Sequence, residues 1–311
     1  MNNLKVERFE DVIKLVGNTP LVRLKTPSGA RVLIKLEYTN PTGSHKDRIA
    51  AYMLKAALKS NVFKKSNVVV GASSGNTGIA VTTFSKVLGL KPVIVVRETT
   101  VAEVKATLKS LGAELVEVPG DENIRDKARK LAEDNGWVFL NQFENVENIR
   151  AHYETTGPEL WVQSRGEIDV FVMGIGTAGT IVGVGSFLKK MNSNVKVYGV
   201  VPKGSPVVGG PGGLEYIPGL AGHTDAPLLD RNLLDDIFEV DLKSAIEAAL
   251  WTARSYGLPV GLSTGASLHV AMMLADKLGG NVRIATIAAD SIHKYSSLIR
   301  EWLPRISTSL P

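Results

Sequence analysis

The sequence predicts an α/β protein with two lobes, each a mainly parallel sheet flanked by helices. From about residue 67 onward, short apolar runs alternate with helical patterns, which is the order expected of β–α–β units. The 311 residues are enough for two domains of ordinary size. Two glycine-containing loops each join a predicted strand to a predicted helix. Because ligands in such folds lie at the carboxyl ends of strands, we look for function in these loops.

The first half of the chain contains a complete β–α–β series. Valine, isoleucine and leucine dominate four short runs, which predict strands at residues 67–72, 92–96, 114–118 and 137–140. Between them, apolar residues recur every three or four positions, which predicts helices at residues 76–88, 102–111 and 124–134. Gly89 and Asn135-Gly136 are typical helix ends.

The same order returns after a helical stretch at about residues 148–163, so we place the division between lobes near residues 145–150. Strands are predicted at residues 170–173, 195–201, 236–240 and 283–288. Helices are predicted at residues 180–191, 242–256 and 265–278, and from about residue 291. A loop rich in glycine and proline separates two of these units, from Lys203 to about Asp230.

Composition excludes several classes of function. The net charge of +5 is scattered, and its densest clusters are the short pairs Lys64-Lys65 and Lys189-Lys190. No basic run is interleaved with aromatic residues, so we expect no nucleic-acid binding. A mild positive charge equally suits small anionic ligands. The chain has no cysteine, which excludes disulfides, zinc thiolate sites and thiol nucleophiles.

Neither export nor a membrane location is expected. The first residues, Met-Asn-Asn-Leu-Lys, show no apolar signal segment, so we expect a cytoplasmic protein. The stretch from Val170 to Leu188 is uncharged and nearly long enough to span a bilayer. Five glycines interrupt it, at positions 174, 176, 179, 183 and 185, which favours a buried strand, a loop and a helix.

Three loops carry residues suited to chemistry. Residues 72–78 (Ala-Ser-Ser-Gly-Asn-Thr-Gly) offer hydroxyls, an amide and backbone N–H groups at a helix start, which suits a carboxylate or phosphate as well as a routine helix cap. Residues 174–180 have glycines at 174, 176 and 179, the spacing of a dinucleotide fingerprint. The next strand ends at Val201-Pro202-Lys203 without the acid that would hold a ribose, which favours phosphate binding.

The third loop, residues 41–48, places Lys46 among turn residues at the head of a helix. A lysine there is either solvated or a Schiff-base amine whose pKa is lowered by its surroundings. These residues alone leave both interpretations open.

Five segments, in this order, resemble the cysteine synthase and cystathionine β-synthase family of pyridoxal 5'-phosphate (PLP) enzymes. The resemblance implies PLP fold type II, the tryptophan-synthase-β-like fold. The segments resemble the family's N-terminal signature, cofactor-lysine segment, substrate-carboxylate loop, phosphate loop and pyridine-nitrogen segment: Leu15–Leu24, Asn40–Arg48, Ser73–Gly78, Gly176–Thr180 and Gly261–Ala266.

The resemblance implies a role for each matching residue. Lys46 is expected to hold PLP covalently and then to act as the base for the α-proton, with Ser74 as the second catalytic residue. Asn76 is expected to hydrogen-bond the cofactor's phenolic oxygen, and Ser263 its ring nitrogen. The cofactor phosphate is expected to lie on Gly176, Thr177, Ala178, Gly179 and Thr180. The substrate carboxylate is expected to lie on Ser73, Ser74, Gly75, Asn76, Thr77 and Gln142. No metal is expected.

Ser263 has a consequence for the reaction that the resemblance implies. A hydroxyl does not enforce a protonated pyridine as an aspartate would, so the ring is a weaker electron sink. This favours the loss of a β-leaving group, an aminoacrylate intermediate and the addition of a nucleophile. The first interpretation is cysteine synthase, in which O-acetylserine or O-phosphoserine reacts with sulfide to give L-cysteine.

Four alternatives remain open at this point. A serine or threonine dehydratase is one, and a non-catalytic amino-acid-binding relative, which would keep residues 73–78 but could dispense with Lys46, is another. A cystathionine β-synthase-like enzyme would use serine and homocysteine. A nicotinamide-dependent oxidoreductase would explain residues 174–179, but it would leave Lys46 and residues 73–78 without a function. The leaving group is expected to depend on the loop from Lys203 to His223, where some phosphoserine-using relatives carry an arginine and Lys203 or His223 would have to replace it.

The resemblance also implies domain bounds and a homodimer. Residues 37–147 are expected to form the smaller lobe with the cofactor lysine and the substrate loop, and residues 1–36 plus 148–311 the larger lobe with the phosphate loop. Three positions depart from the commonest family pattern. His45 replaces an apolar residue, Ser73 a threonine, and Ala178 a glycine of the phosphate loop.

Overall fold

The structure of the protein is a computed structural model that describes residues 3–26, 29–120, 122–222 and 225–306. The strands of these residues are β1 (Leu21–Lys25), β2 (Arg31–Leu36), β3 (Val68–Ala72), β4 (Lys91–Arg97), β5 (Glu114–Val118), β6 (Val138–Phe139), β7 (Val170–Gly174), β8 (Lys196–Pro202), β9 (Asp236–Val240) and β10 (Arg283–Ala288). The α-helices are α1 (Asn3–Ile13), α2 (Lys46–Lys59), α3 (Asn76–Val87), α4 (Ala102–Ser110), α5 (Ile124–Asn135), α6 (Glu147–Ala151), α7 (Gly157–Gln163), α8 (Gly179–Met191), α9 (Leu242–Tyr256), α10 (Leu262–Leu278) and α11 (Ser296–Trp302).

The chain divides into two compact units, Met1–Gly17 with Asn40–Ala151, and Asn18–Thr39 with His152–Pro311. This division differs from the predicted lobes mainly at the N-terminus, which was assigned to the larger lobe and belongs to the smaller unit. The reason is the packing of α1, whose Phe9 is fully buried and meets Phe84 of α3 edge to face, with ring centroids 6.4 Å apart.

The first unit is built on a four-stranded parallel sheet in the order β5-β4-β3-β6. Alternate side chains of its strands enter two different cores. Val93 and Val95 of β4 pack with the α5 side of the sheet, whereas Ile94 and Val96 pack with α1, α2 and α3. β3 therefore lies between helical layers, and its carboxyl end leads directly into α3.

The second unit is built on a six-stranded sheet in the order β1-β2-β10-β7-β8-β9. β1 runs antiparallel to β2, and the other neighbouring strands are parallel. All five residues of β7 are buried, as expected of a strand covered on both faces. Both units thus have a mainly parallel sheet flanked by helices, which confirms the predicted fold class.

The predicted helix at residues 148–163 is interrupted. Between α6 and α7 the chain forms a π-helical turn, His152–Thr156, in which the turn is one residue wider than in an α-helix. Pro158 follows within the first turn of α7, and it has no N–H to donate to the carbonyl four residues earlier. The missing hydrogen bond accounts for the widened turn directly before it.

None of the helices in the part of the chain that the structure describes is long and apolar enough to cross a membrane. The uncharged stretch from Val170 to Leu188 consists of β7, a short loop and α8, as predicted.

Candidate active site

Lys46 is the first residue of α2, and the residues before it form a tight turn. Gly43, with φ +79°, donates its N–H to the Asn40 carbonyl at 2.8 Å, so the chain reverses directly before the helix. The Lys46 N–H donates to the Ser44 hydroxyl oxygen at 3.2 Å. Lys46 itself is half-buried. The backbone from which its amine projects is therefore fixed on both sides.

Asp47 holds this turn together from inside. Its carboxylate is fully buried and accepts the Thr42 N–H at 2.7 Å as well as the Thr42 hydroxyl. A negative charge in the first turn of a helix is also favoured by the helix dipole. Asp47 thus stabilises both the turn and the start of the helix that carries Lys46.

The loop of residues 73–75 joins β3 to α3 and presents two serines. The Ser73 hydroxyl oxygen accepts the Gly75 N–H at 3.3 Å, and the Ser74 hydroxyl oxygen accepts the Arg97 N–H at 3.4 Å. Both oxygens act as acceptors in these bonds, so each O–H remains a donor. Gly78 has a packing role, because a Cβ there would lie 3.0 Å from the Ser73 carbonyl oxygen. This glycine lets α3 start close to β3.

The structure brings Gln142 to this loop across a long sequence separation. The Thr77 hydroxyl donates to Gln142 Oε1 at 2.6 Å, and Gln142 Nε2 donates to the Ala72 carbonyl at 3.1 Å. Asn148 Nδ2 donates to the Gln142 carbonyl at 2.7 Å, which fixes the backbone as well. An amide nitrogen has two N–H groups, and the Ala72 carbonyl takes one of them. Gln142 and Thr77 are both buried.

A recess lies beside these residues within the first unit. It is a shallow recess, and Ser73, Thr77, Asn141 and Gln142 supply polar groups to its lining. Asn141 has φ +35°, a strained conformation for a residue with a side chain. Asn141 directly precedes Gln142. Backbone strain of this kind is common in functional segments.

In the second unit, residues 175–178 join β7 to α8. A Cβ on Gly176 would lie 2.4 Å from the Gly219 carbonyl oxygen, so no side chain fits there. Ala178 is in the left-handed region, with φ +67°. Thr177 and Thr180 are buried. Backbone N–H groups at the start of a helix together with two hydroxyls form a donor set suited to a phosphate.

Ser263 lies near this loop, with Gly219 between them. Ser263 is buried in the first turn of α10, and a Cβ on Gly219 would lie 3.6 Å from its hydroxyl oxygen. Gly219 therefore touches Gly176 on one side and approaches Ser263 on the other. This arrangement brings two of the predicted cofactor-binding segments to the same edge of the sheet.

Sequence reasoning did not single out His152, which contacts the predicted phosphate loop. The ring is fully buried, and its Nε2 lies 3.1 Å from the Thr180 hydroxyl oxygen. A histidine in a helical pattern gives no signal of such a contact, because 28 residues separate it from Thr180. The other nitrogen, Nδ1, lies 2.9 Å from the Thr156 hydroxyl oxygen.

The loop that begins at Lys203 is held by an ion pair. Lys203 Nζ lies 2.9 Å from Asp241 Oδ2, and this hydrogen bond raises the pKa of Lys203. Burial alone would raise the pKa of Asp241, but hydrogen bonds from Lys203 and Ser244 outweigh it and lower that pKa to about 2. The charge of Glu215 also raises the pKa of Lys203. His223, the other cation expected to matter here, lies outside the described residues.

The described residues contain no group of three or more histidine and acidic side chains able to hold a metal ion. The predicted site residues divide between the units. Lys46, Ser73–Thr77 and Gln142 belong to the first unit, and Gly176–Thr180 and Ser263 belong to the second.

Comparison with known proteins identifies relatives over nearly the whole chain. The family model for "Pyridoxal-phosphate dependent enzyme" matches residues 12–290. The chain is 36% identical over 296 residues to a cysteine synthase of Staphylococcus aureus (strain Mu50 / ATCC 700699). The matched residues cover 93% of this chain and 96% of the relative.

Solved structures are also similar over nearly the whole chain. A hydrogen sulfide-producing enzyme from Fusobacterium nucleatum is similar, with a TM-score of 0.89 and 33% identity over 98% of this chain and 94% of that one. An O-acetylserine dependent cystathionine β-synthase from Helicobacter pylori is also similar, with a TM-score of 0.87 and 30% identity over 92% of this chain and 96% of that one.

Proposed function

The chain belongs to the family of pyridoxal-phosphate dependent enzymes, and we propose that it is a cysteine synthase that makes L-cysteine from O-acetylserine and sulfide. The observation that carries this proposal is the similarity to the staphylococcal cysteine synthase. It extends through both units, and so includes every segment that the reaction needs. The nicotinamide alternative is set aside, because the matching family uses PLP.

The residues of each unit fit the cofactor. In the second unit, Gly176 lets the loop pack against the Gly219 carbonyl, and the backbone N–H groups at the start of α8 suit an anion. We infer that Gly176–Thr180 bind the cofactor phosphate and that Ser263 contacts the ring nitrogen. In the first unit, Lys46 would bind the cofactor covalently and Asn76 its phenolic oxygen. When bound, PLP supplies an aldehyde carbon that captures amines and a ring that draws electrons from the substrate's α-carbon.

The substrate carboxylate is assigned to the start of α3. The O–H groups of Ser73 and Ser74 remain donors, since both oxygens already accept backbone N–H groups. The Thr77 hydroxyl donates its hydrogen bond to Gln142 Oε1. This orients the Gln142 amide so that its nitrogen acts as a donor. Thr77 therefore acts through Gln142, while Ser73, Ser74 and the helix N–H groups contact the carboxylate themselves.

Proton transfer is assigned to Lys46. Its amine is the group on the turn-and-helix segment that can take the proton from the substrate's α-carbon and hold it. Asp47 supports this role from a distance, because its buried carboxylate fixes the turn before Lys46. We assign no proton transfer to Asp47 itself.

The charges near Lys203 favour a substrate whose β-substituent is uncharged before it leaves. Lys203 is paired with Asp241, and Glu239 accepts the Gly204 N–H at 2.7 Å. Glu215 accepts the Leu242 N–H at 3.2 Å, so a third carboxylate lies in the same region of the second unit. These three carboxylates would repel a phosphate dianion, whereas an acetyl ester carries no charge to be repelled. O-Acetylserine is therefore the proposed substrate.

A second candidate differs only in its nucleophile. The relative from Helicobacter pylori is described as an O-acetylserine dependent cystathionine β-synthase. A cystathionine β-synthase-like reaction with homocysteine in place of sulfide would use the same residues of this chain.

One experiment separates these reactions. The full chain, loaded with PLP, is incubated with O-acetylserine, O-phosphoserine or serine, each with sulfide or homocysteine, and the products are quantified by mass spectrometry. The proposal expects cysteine from O-acetylserine and sulfide as the fastest product. Cystathionine as the fastest product would replace it with the second candidate, and no product from any pair would refute both. Lys46→Ala is the inactive control.

The proposal extends to assembly and location. We propose that the chain forms a homodimer, as the family resemblance implies, and that it acts in the cytoplasm. Light scattering on the purified chain and fractionation of its host test these two points, which are independent of the reaction.

A further inference from the structure

His152 occupies a position that the proposed reaction does not use. It is fully buried in the second unit and is the first residue of the π-helical turn His152–Thr156. Both of its ring nitrogens lie within hydrogen-bonding distance of threonine hydroxyls, Nδ1 with Thr156 at 2.9 Å and Nε2 with Thr180 at 3.1 Å. Thr156 is fully buried too, and Thr180 is 5% exposed. The ring therefore connects the π turn to the first turn of α8.

The two nitrogens of a neutral imidazole have opposite roles, since one donates and the other accepts. A hydroxyl has one proton, and it serves either the ring or another acceptor. If Nε2 accepted from Thr180, the Thr180 O–H would donate to the ring and could not donate to an anion. If Nε2 donates to Thr180, that proton is left for an anion. The tautomer of His152 thus decides whether Thr180 is a donor toward the loop.

The Thr156 hydroxyl, 2.9 Å from Nδ1, can either donate to this nitrogen or accept from it. When its hydroxyl donates to Nδ1, the ring proton resides on Nε2. The order of donation is then Thr156 O–H to Nδ1, Nε2–H to Thr180 Oγ1, and Thr180 O–H onward. His152 and Thr156 stand four residues apart in the π turn, close enough for this hydrogen bond.

We propose that His152 is a positioning residue for the cofactor phosphate, acting through Thr180, whose hydroxyl it fixes as a donor. This rests on the proposed assignment of the phosphate to residues 176–180. A hydrogen bond to a charged group is stronger than one between neutral groups, so the direction of the Thr180 proton has a measurable effect.

The test compares two cofactors that differ only in the phosphate. The dissociation constants of PLP and of pyridoxal are measured by absorbance titration of the cofactor-free full chain, and their ratio isolates the phosphate contribution. His152→Asn places no donor within reach of Thr180, and we expect the ratio to fall about tenfold. His152→Gln, whose amide nitrogen reaches as far as Nε2, should restore much of it. Thr156→Val should lower the ratio by a smaller factor, and Thr252→Val, a buried threonine of α9, should leave it unchanged.

A double-mutant cycle excludes a merely structural role. If His152 acts through Thr180, His152→Asn should not lower the ratio further in a Thr180→Ala background. An equal fall in both backgrounds would overturn the proposal. So would a fall in pyridoxal affinity equal to that in PLP affinity. If Thr180→Ala by itself leaves the ratio unchanged, the assignment of the phosphate to this loop fails, and the role of His152 fails with it. Should His152→Asn not fold, Thr156→Val provides the same comparison.

Discussion

At the scale of single residues, the proposed phosphate loop shows how little room the second unit leaves for variation. Gly176 lies against the Gly219 carbonyl, so only a residue without a side chain fits there. Two positions later, Ala178 has φ +67°, where a side chain is costly. The chain thus has a required glycine and a strained alanine within one short loop, and each gives a test.

Gly176→Ala should be destabilising, because its Cβ would collide with a backbone oxygen that cannot rotate away. We expect a loss of about 1–3 kcal/mol in the free energy of unfolding, together with weaker retention of PLP. Chemical denaturation and visible absorbance measure the two effects. Gly120→Ala is the matched control, since a Cβ there meets nothing within 4 Å. Equal stability of the two variants would contradict the close approach of Gly176 and Gly219.

Ala178→Gly should have the opposite sign. Glycine adopts a positive φ without strain, and this gain exceeds the entropy that glycine adds to the unfolded chain. We expect a net stabilisation of about 0.5–1 kcal/mol, measured by denaturation. The exposed Ala106 in the middle of α4 is the control, and Ala106→Gly should lose about 0.5–1 kcal/mol. A loss in both variants would show that Ala178 is not strained.

At the scale of elements, the carboxyl ends of β8 and β9 set the charge near the proposed leaving-group loop. Lys203 follows β8 and Asp241 follows β9, and the two pair because these strands are parallel neighbours. Asp241 also caps α9 by accepting the Ser244 N–H at 2.8 Å. One carboxylate thus neutralises a cation and starts a helix.

Asp241→Ser should therefore change substrate preference and leave the fold intact. Serine keeps a capping oxygen but not the charge, which releases Lys203 to attract a phosphate. We expect kcat/KM for O-phosphoserine, relative to O-acetylserine, to rise about tenfold at low ionic strength. Adding Lys203→Met should abolish the rise. An unchanged ratio in Asp241→Ser would mean that Lys203 does not influence the leaving group.

Elements also show where prediction from sequence succeeds. The bounds predicted for residues 114–118, 236–240, 242–256 and 283–288 are those of β5, β9, α9 and β10. These segments have clear local signals. For example, Asp241 caps the start of α9, and Gly257, in the left-handed region, ends it. The hairpin of β1 and β2 was not predicted as strands. Its apolar runs are short, because Arg23 interrupts β1 and Arg31 and Lys35 flank only three apolar residues of β2.

What the sequence could not provide is contact between distant segments. The family resemblance led to Gln142, but its hydrogen bond with Thr77 depends on how β6 and β3 lie side by side. The approach of Gly219 to Gly176 and the contact of His152 with Thr180 are likewise results of packing. Local patterns carry no record of them.

At the scale of the whole molecule, paired surface carboxylates contribute to how the protein responds to acid. Burial alone would raise the pKa of Asp235, but hydrogen bonds from Lys196, Lys189 and the Val197 N–H lower it to about 2. Asp241 has a pKa of about 2 for a similar reason. Both values lie below the 3.8 of an unperturbed aspartate. The stabilisation that these groups provide is present above pH 3.8 and is lost as the pH falls toward 2.

The free energy of unfolding should therefore decrease steeply between about pH 4 and pH 2. Replacing both residues, Asp235→Asn with Asp241→Asn, should lower stability at neutral pH and flatten this decrease. Denaturation at several pH values between 2 and 6 measures the slope. Asp134→Asn, at an exposed position of α5, should keep the slope of the unmodified chain. A double variant with the original slope would contradict the assignment.

The central claim is that Lys46 carries PLP and that the enzyme acts on O-acetylserine. The visible absorption spectrum of the purified full chain, recorded before and after O-acetylserine is added, tests it most directly. We predict a yellow protein whose band shifts with O-acetylserine and returns when sulfide is added, and a Lys46→Ala variant without the covalently bound chromophore. A protein that stays colourless when PLP is supplied would contradict the account.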